Sequence, residues 1–440
     1  MILDSFLIKL AVFLLMSYIF ILCINNIKLF ILIYIALRSF FAVFYDVNLI
    51  GGLNILEFLG FFFPIVLILY WAKNEKFRVI LPGYANIYSL ILLWILFSNL
   101  ASIVNHGFQG IESLSSFFRI LNGYSAFMIF PLIFREIKDV DSLINAFFIS
   151  TIFPLLQGFS QIFVGGNILG MGTSISRGGQ TDFVMYYGLY YKYDGYAWAA
   201  LLGGLVLIYK TAKINSSRRA SNRQGIFYVI LLVFFIVLAS VTLSRLLFVS
   251  LFFIAILIFF NLKKHLKIAF LVLILFFVTG SFFQERYRQL ILRSESEIKA
   301  VKGELPVDYA FHGRMSLWQR KLSDFNSRSF LQRLIGTPIG VGPHSDYFQW
   351  LFSHGYIGLF LYLFLLIKLF NGCLGKMRRT KNINMRTDYV AYGQMVIAGL
   401  IIWILEAFIH NPSYYLDYSY MIIGNAAIFL NLRASGSHNR

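Results

Sequence analysis

"FYVILLVFFIVLAS", residues 227–240, runs through fourteen positions without a charge, a proline or a glycine. "LFLYLFLLIKLF", residues 359–370, repeats the pattern with one lysine. Runs of this kind, extended by their flanks to about 20 residues, are long enough to cross a bilayer as helices, and only a helix satisfies its own backbone there. The whole chain agrees: of 440 residues, 59% are hydrophobic and 13% charged, against about 25% charged in soluble domains. A water-soluble globular domain is excluded on that balance.

Working outward, apolar segments fall near 5–23, 28–45, 54–71, 86–104, 117–134, 142–164, 194–209, 226–242, 245–261, 268–284, 347–370, 390–410 and 418–432. The sequence therefore predicts an all-α polytopic membrane protein of about 13 spans, with 12–14 as the range. No soluble stretch is long enough to stand alone, so residues 1–440 are expected to form a single integral membrane domain. The first apolar stretch begins almost at Met1, without a basic leader region or a small-residue cleavage site, and is expected to stay in the protein. Cys23 and Cys373 lie far apart in apolar surroundings and imply no disulfide framework or metal spacing.

The net charge of +18 comes from 38 Lys and Arg against 20 Asp and Glu. These cations cluster in short loops, as topology determinants and lipid-headgroup contacts do, and no nucleic-acid module accompanies them. "KTAKINSSRRASNR" (210–223), "KKHLK" (263–267) and "KMRRTKNINMR" (376–386) are consistent with one another as cytoplasmic. The large loop, about 286–346, then faces outward, as do 165–193 and 411–417. It holds ten Lys and Arg against five acids between Arg286 and Arg333, and an outward display of arginine suits anionic ligands. No internal repeat is visible, which argues against the paired halves of many transporters.

Candidate chemistry gathers on that outer face. In "GPHSDYFQWLFSHGYIG" (342–358), Pro343 suits the first turn of a helix. His344 then sits at a helix N-terminus, where the dipole disfavours the imidazolium and leaves a neutral proton acceptor. On a continuous helix, at about 100° per residue, Leu351, Gly355 and Gly358 fall near the His344 direction. His354 points away and reads as a packing residue, while Gly355 and Gly358 let another helix approach. Arg245 sits in a tight outer turn, Arg177 in the second outer loop and Arg314 in the large loop. Each can bind phosphate oxygens bidentately or serve as a membrane anchor. Tyrosine-rich "YYGLYYKYDGY" (186–196) and "NPSYYLDYSY" (411–420) belong to the interface belt, with sugar stacking as the alternative. Glu57, Glu112 and Glu406, near span ends, receive no role. The loop glycines Gly336, Gly340 and Gly342 lack the Lys-Ser/Thr of a nucleotide loop and read as a turn.

"HGRMSLW" (312–318), "GTPIGVGPHSDYFQWLFSHGYIGLFLYL" (336–363) and "TLSRLLFVSL" (242–251) resemble the bacterial O-antigen ligase and polymerase superfamily. The ligase pattern is His followed by Asn, Ser or Arg, nine residues, then Gly-x-x-(Asn/Thr/Tyr). His344-Ser345 and Gly355 fit it, and Gly358 departs at the last position. The resemblance implies a metal-independent, inverting glycosyltransferase resembling the GT-C type. Its donor is an undecaprenyl-diphosphate-linked glycan, its site faces the periplasm from the inner membrane, and it uses no cofactor. On that resemblance His344 is the catalytic residue, acting as base or orienting the acceptor. Arg245, Arg314 and, less directly, Arg177 hold the diphosphate or glycan. The expected activity is repeat-unit polymerisation onto a lipid-linked glycan. The alternatives are ligation to lipid A–core, or to protein, and, from another class, a flippase. A chain-length regulator is an admissible partner.

Overall fold

The computed structural model describes residues 14–15, 18–19, 21–22, 25–42, 55–106, 114–164, 175–176, 184–185, 194–216, 222–242, 245–263, 266–268, 270–272, 281–306, 314–337, 345–382, 387–408, 410, 412 and 416–432. They are almost wholly helical. The elements are α1 (Ile27–Phe41), α2 (Ile55–Asn74), α3 (Pro82–His106), α4 (Leu114–Ile133), α5 (Ile137–Val164), α6 (Asp194–Ser216), α7 (Asn222–Thr242), α8 (Arg245–Asn261), α9 (Ser281–Val301), α10 (Arg314–Ser327), α11 (Phe330–Ile335), α12 (Asp346–Asn382), α13 (Thr387–Glu406), α14 (Leu416–Ser419) and α15 (Asn425–Asn431). A π-helical stretch, Tyr420–Gly424, joins the last two. One short antiparallel pair, β1 (Ile175–Ser176) with β2 (Val184–Met185), precedes α6.

Among the described residues seven helices are long and apolar enough to cross a membrane: α2 to α6, α12 and α13. Shorter apolar helices cover Arg223–Ala239, Leu246–Asn261 and Tyr420–Asn431. Their outer surface has the inverse of a soluble protein's pattern. On α3, Leu90, Leu93, Phe97, Leu100 and Val104 form an exposed stripe at helical spacing, a face suited to lipid and costly in water. α6 is the most enclosed of the seven and touches α5, α7, α8 and α13.

Prolines inside two helices are compensated from neighbours. Pro64 in α2 has no N–H for the carbonyl of Gly60, and Asn122 of α4 donates to that oxygen at 2.7 Å. Pro154 in α5 likewise orphans Ser150, whose carbonyl accepts from Ser39 at 2.5 Å. In lipid an unpaired carbonyl costs several kcal/mol, so each proline requires such a partner.

Helix ends sort by charge. At one end Lys28 pairs with Asp139, Lys213 with Asp141 at 2.6 Å and Arg135 with Glu75 at 2.9 Å. Lys376, at the far end of α12, donates to the carbonyls of Leu430 and Leu432 at 3.0 and 2.6 Å. Lys213 and Lys376, in the described parts of the basic segments 210–223 and 376–386, are both found at this end. The starts of α8 and α12 lie at the other end.

The large loop contains α9, α10 and α11, and the entry that follows differs from the expected continuous helix. Gly355 has φ 68° and ψ −170°, which divides α12 into α12a (residues 346–354) and α12b (residues 356–382). α12a folds back along α12b. Trp350 stacks on Tyr362 with ring centroids 4.7 Å apart, and the Tyr362 hydroxyl reaches Asp346 at 2.8 Å. Every α12a residue is at least partly shielded, whereas Tyr356, Phe360, Phe364 and Ile367 of α12b form an exposed stripe. Residues 356–382 rise about 40 Å, enough to cross unaided. The projection of Gly355 and Gly358 below His344 on one helix face therefore fails, because the helix ends between them.

The break is held by its neighbours. Gly336, the C-cap of α11, has φ 86° and lies backbone to backbone against Gly355. A Cβ on Gly336 would collide with the Gly355 nitrogen, and one on Gly355 with the Leu334 carbonyl. Two of the carbonyls freed at the end of α12a have donors from other elements. Phe352 accepts from Arg328 Nη1 at 3.0 Å and Thr337 N at 3.2 Å, and His354 from Trp94 Nε1 at 2.9 Å. A helix C-terminus buried without such donors would be costly. Burial in this contact lowers the pKa of Arg328. His354 is buried, with Nδ1 2.9 Å from Ser98 Oγ. Gly358 meets His354 and Trp94, so the close approach it permits is to α12a and α3.

Candidate functional site at the start of α12

The first N–H groups of any helix lack partners within it. At α12a the Asp346 N–H donates to the carbonyls of Ala407 and His410, at 2.9 and 3.0 Å, and Ser345 Oγ donates to Ala407 at 3.1 Å. The N-terminus of α12a thus abuts the C-terminal end of α13, which satisfies orphan groups on both and aligns the two dipoles favourably. Ser345 and Asp346 are 1% and 0% exposed. A carboxylate so deep needs donors. Asp346 Oδ2 accepts from Tyr362, whose hydroxyl oxygen accepts from Trp403 Nε1 at 2.7 Å.

A second carboxylate sits beside it. Glu406 is 1% exposed, and its Oε2 lies 2.6 Å from His410 Nδ1 while Oε1 accepts from Ser250 at 2.8 Å. Ser250 belongs to α8, so this network ties α8 to α13, and Asp346 ties α13 to α12a. Four residues separate Glu406 from His410, one helical turn, which brings both side chains to the same face.

Two cavities adjoin the network. One, small, is lined by Ala197, Trp198, Leu201, Leu247, Glu406 and His410. The other is walled by aromatic rings, among them Tyr88, Trp350, Tyr362 and Trp403, together with Arg119 and Ser419. Aromatic faces with a few convergent polar groups are the usual make-up of a small-ligand site.

Of the residues singled out by sequence, His344 and Arg177 lie outside the described residues. Ser345, next to His344 in sequence, opens the buried network. Arg245 is the first residue of α8, five positions before Ser250 and so about 7–8 Å along the helix from it; its side chain is not among those described. Arg314 is the first residue of α10, partly buried, one turn before Trp318, whose ring lies 5.2 Å from Phe348 of α12a. The starts of α8, α10 and α12a are thus gathered at one end of the bundle. Sequence reasoning named Glu406 without a role, and assigned none to Asp346, Tyr362, Trp403, Arg119 or His410. Only the last carried a signal: a Glu and a His four apart, "EAFIH" (406–410), in the closing turn of an apolar span.

Comparison with protein-family models and with curated proteins finds no match for this chain.

Proposed function

We propose that this chain transfers a glycan from undecaprenyl diphosphate to an acceptor sugar hydroxyl at the periplasmic face of a bacterial inner membrane, as a repeat-unit polymerase. The bundle of this reading has about thirteen spans and the architecture of lipid-dependent glycosyltransferases. One observation carries it: Ser345 and Asp346, following His344, are buried against the end of α13 beside Glu406 and His410. From Ser345 on the chain lies in a buried hydrogen-bonded network, and α8, which Arg245 begins, is bonded to that network through Ser250.

In this reading the acceptor hydroxyl loses its proton and attacks the anomeric carbon. The bond to the diphosphate breaks with its electron pair, giving inversion. His344 acts on the acceptor as base or orienting group. Arg245 and Arg314, with Arg177, stabilise the charge gathering on the leaving diphosphate, where partial exclusion of water strengthens each contact.

A ligase passing the finished glycan to lipid A–core would use the same parts. Transport is a second reading, favoured by buried Asp346 and Glu406, since ionisable groups at membrane depth also mark translocation routes. Deleting the gene separates the three when surface glycan is resolved by gel. Single repeat units on lipid A–core support the polymerase. Long chains left on undecaprenyl diphosphate with bare core indicate the ligase, and units trapped on the cytoplasmic face overturn transfer in favour of transport.

A further inference from the structure

We infer that Glu406 and His410 form the proton-accepting pair for the acceptor hydroxyl, which leaves His344 to orient the acceptor. This deepens the glycan-transfer reading and rests on it.

The geometry is that of a carboxylate-oriented imidazole. Glu406 holds His410 Nδ1 at 2.6 Å, and the carboxylate is itself fixed by Ser250 at 2.8 Å. A carboxylate on Nδ1 selects the tautomer with its hydrogen there and leaves Nε2 as the basic nitrogen. Among the described residues Nε2 has no partner, and it is not among the fully enclosed unsatisfied atoms. The His410 side chain keeps 10% of its exposure while that of Glu406 keeps 1%. The acid is sealed, and the more exposed imidazole borders the small cavity that both residues line. Trp198 forms another wall, its ring 6.2 Å from His410 and 71° to it, and an indole face against a sugar ring is a common mode of glycan contact.

Among the described residues, groups from four other elements face the pair. α6 offers Ala197, Trp198 and Leu201, and α8 offers Leu247 and Ser250. The Asp346 N–H meets the His410 carbonyl, and Tyr418 packs on the rings of Trp198 and Trp403. Among the described side chains that line the cavity with the pair there is no lysine or arginine, and Glu406 is the charge in contact with His410. The step balances: the hydroxyl proton passes to His410 Nε2, the oxygen pair forms the new C–O bond, and the old C–O pair leaves on the diphosphate. The imidazolium then returns its proton to water or to the diphosphate. Glu406 is the positioning residue and His410 the catalytic one.

The test uses the purified full-length protein in nanodiscs with the lipid-linked oligosaccharide pool extracted from the deletion strain. His410→Ala is expected to lower kcat by about 10²–10³-fold with KM within about threefold, and free imidazole to restore at least tenfold. Glu406→Gln keeps the hydrogen-bonding shape and is expected to lower kcat with KM held; it carries the test if His410→Ala fails to accumulate. His344→Ala is expected to raise KM more than it lowers kcat. Unchanged kcat in His410→Ala, or no imidazole rescue of a folded variant, overturns the pair while glycan transfer stands. An unsubstituted protein that elongates nothing overturns the transfer reading itself, and this inference with it.

Discussion

Tyr362 donates a hydrogen bond to Asp346 at 2.8 Å, although sixteen residues of straight helix would hold the two about 24 Å apart. The bond exists only because the helix turns back at Gly355. It places the residues that follow His344 inside the bundle, against α13.

Tyr362→Phe removes the donor from a buried carboxylate and the acceptor from the Trp403 N–H. It is expected to cost about 1–3 kcal/mol, read as a lower unfolding midpoint in detergent. Asp346→Asn should cost less than Asp346→Ala, since the amide oxygen can still accept from Tyr362. A Tyr362→Phe, Asp346→Ala cycle showing no coupling would mean that the tie contributes nothing.

Gly355→Ala places a Cβ into the Leu334 and Arg333 carbonyls at a φ of 68°. A cost above about 2 kcal/mol is expected, with faster proteolysis across residues 286–345 as α11 detaches. Gly336→Ala should produce the same cleavage pattern. Wild-type protease resistance in both would refute the interlock.

Asn122→Leu uncovers the Gly60 carbonyl that Pro64 orphans, and breaks the contact from Tyr420 to the Asn122 amide oxygen. It should destabilise by about 1–3 kcal/mol. Adding Pro64→Ala restores a backbone N–H to Gly60 and should recover part of the loss. No recovery would show that the asparagine acts elsewhere.

Arg245→Ala and Arg314→Ala are each expected to lower glycan transfer by at least about 10²-fold, as loss of a preorganised cationic partner does, with normal membrane insertion. Lysine at the same positions should recover only part, because it lacks the bidentate fork. Full activity in both alanine variants would remove these arginines from the site.

With Cys23 and Cys373 replaced by alanine, Ser217→Cys in the basic 210–223 loop should resist an impermeant thiol reagent in intact cells. Ser327→Cys in α10 should react in cells whose outer membrane has been permeabilised. Labelling of both from one side would contradict the assigned orientation.

Much of this architecture is written in the sequence, for a reason lipid imposes. Where backbone groups cannot bond to water, an apolar run of sufficient length has helix as its only outcome, so 117–134 could be read without tertiary information and became α4 (Leu114–Ile133). Short basic loops likewise gave a consistent end to the bundle, where Lys213 and Lys376 are found. The glycine pattern 355-x-x-358 was visible, but its meaning was not. An apolar period of 3.6 runs unbroken through "LFSHGYIGLFLYL", residues 351–363, and nothing in it announces that Gly355 leaves the helix.

Residue types and their order determined that the chain is helical, which segments are apolar enough to cross, and where the candidate arginines and His344 sit along it. Tertiary structure alone decided that Gly336 and Gly355 meet, that α12a folds back, and that Ser250, Asp346, Tyr362, Trp403, Glu406 and His410 share one buried network. These residues are spread over 160 positions of chain, from Ser250 to His410. Hydropathy reports how each segment partitions into lipid, whereas a buried polar contact depends on which helices lie side by side, a property no single segment contains.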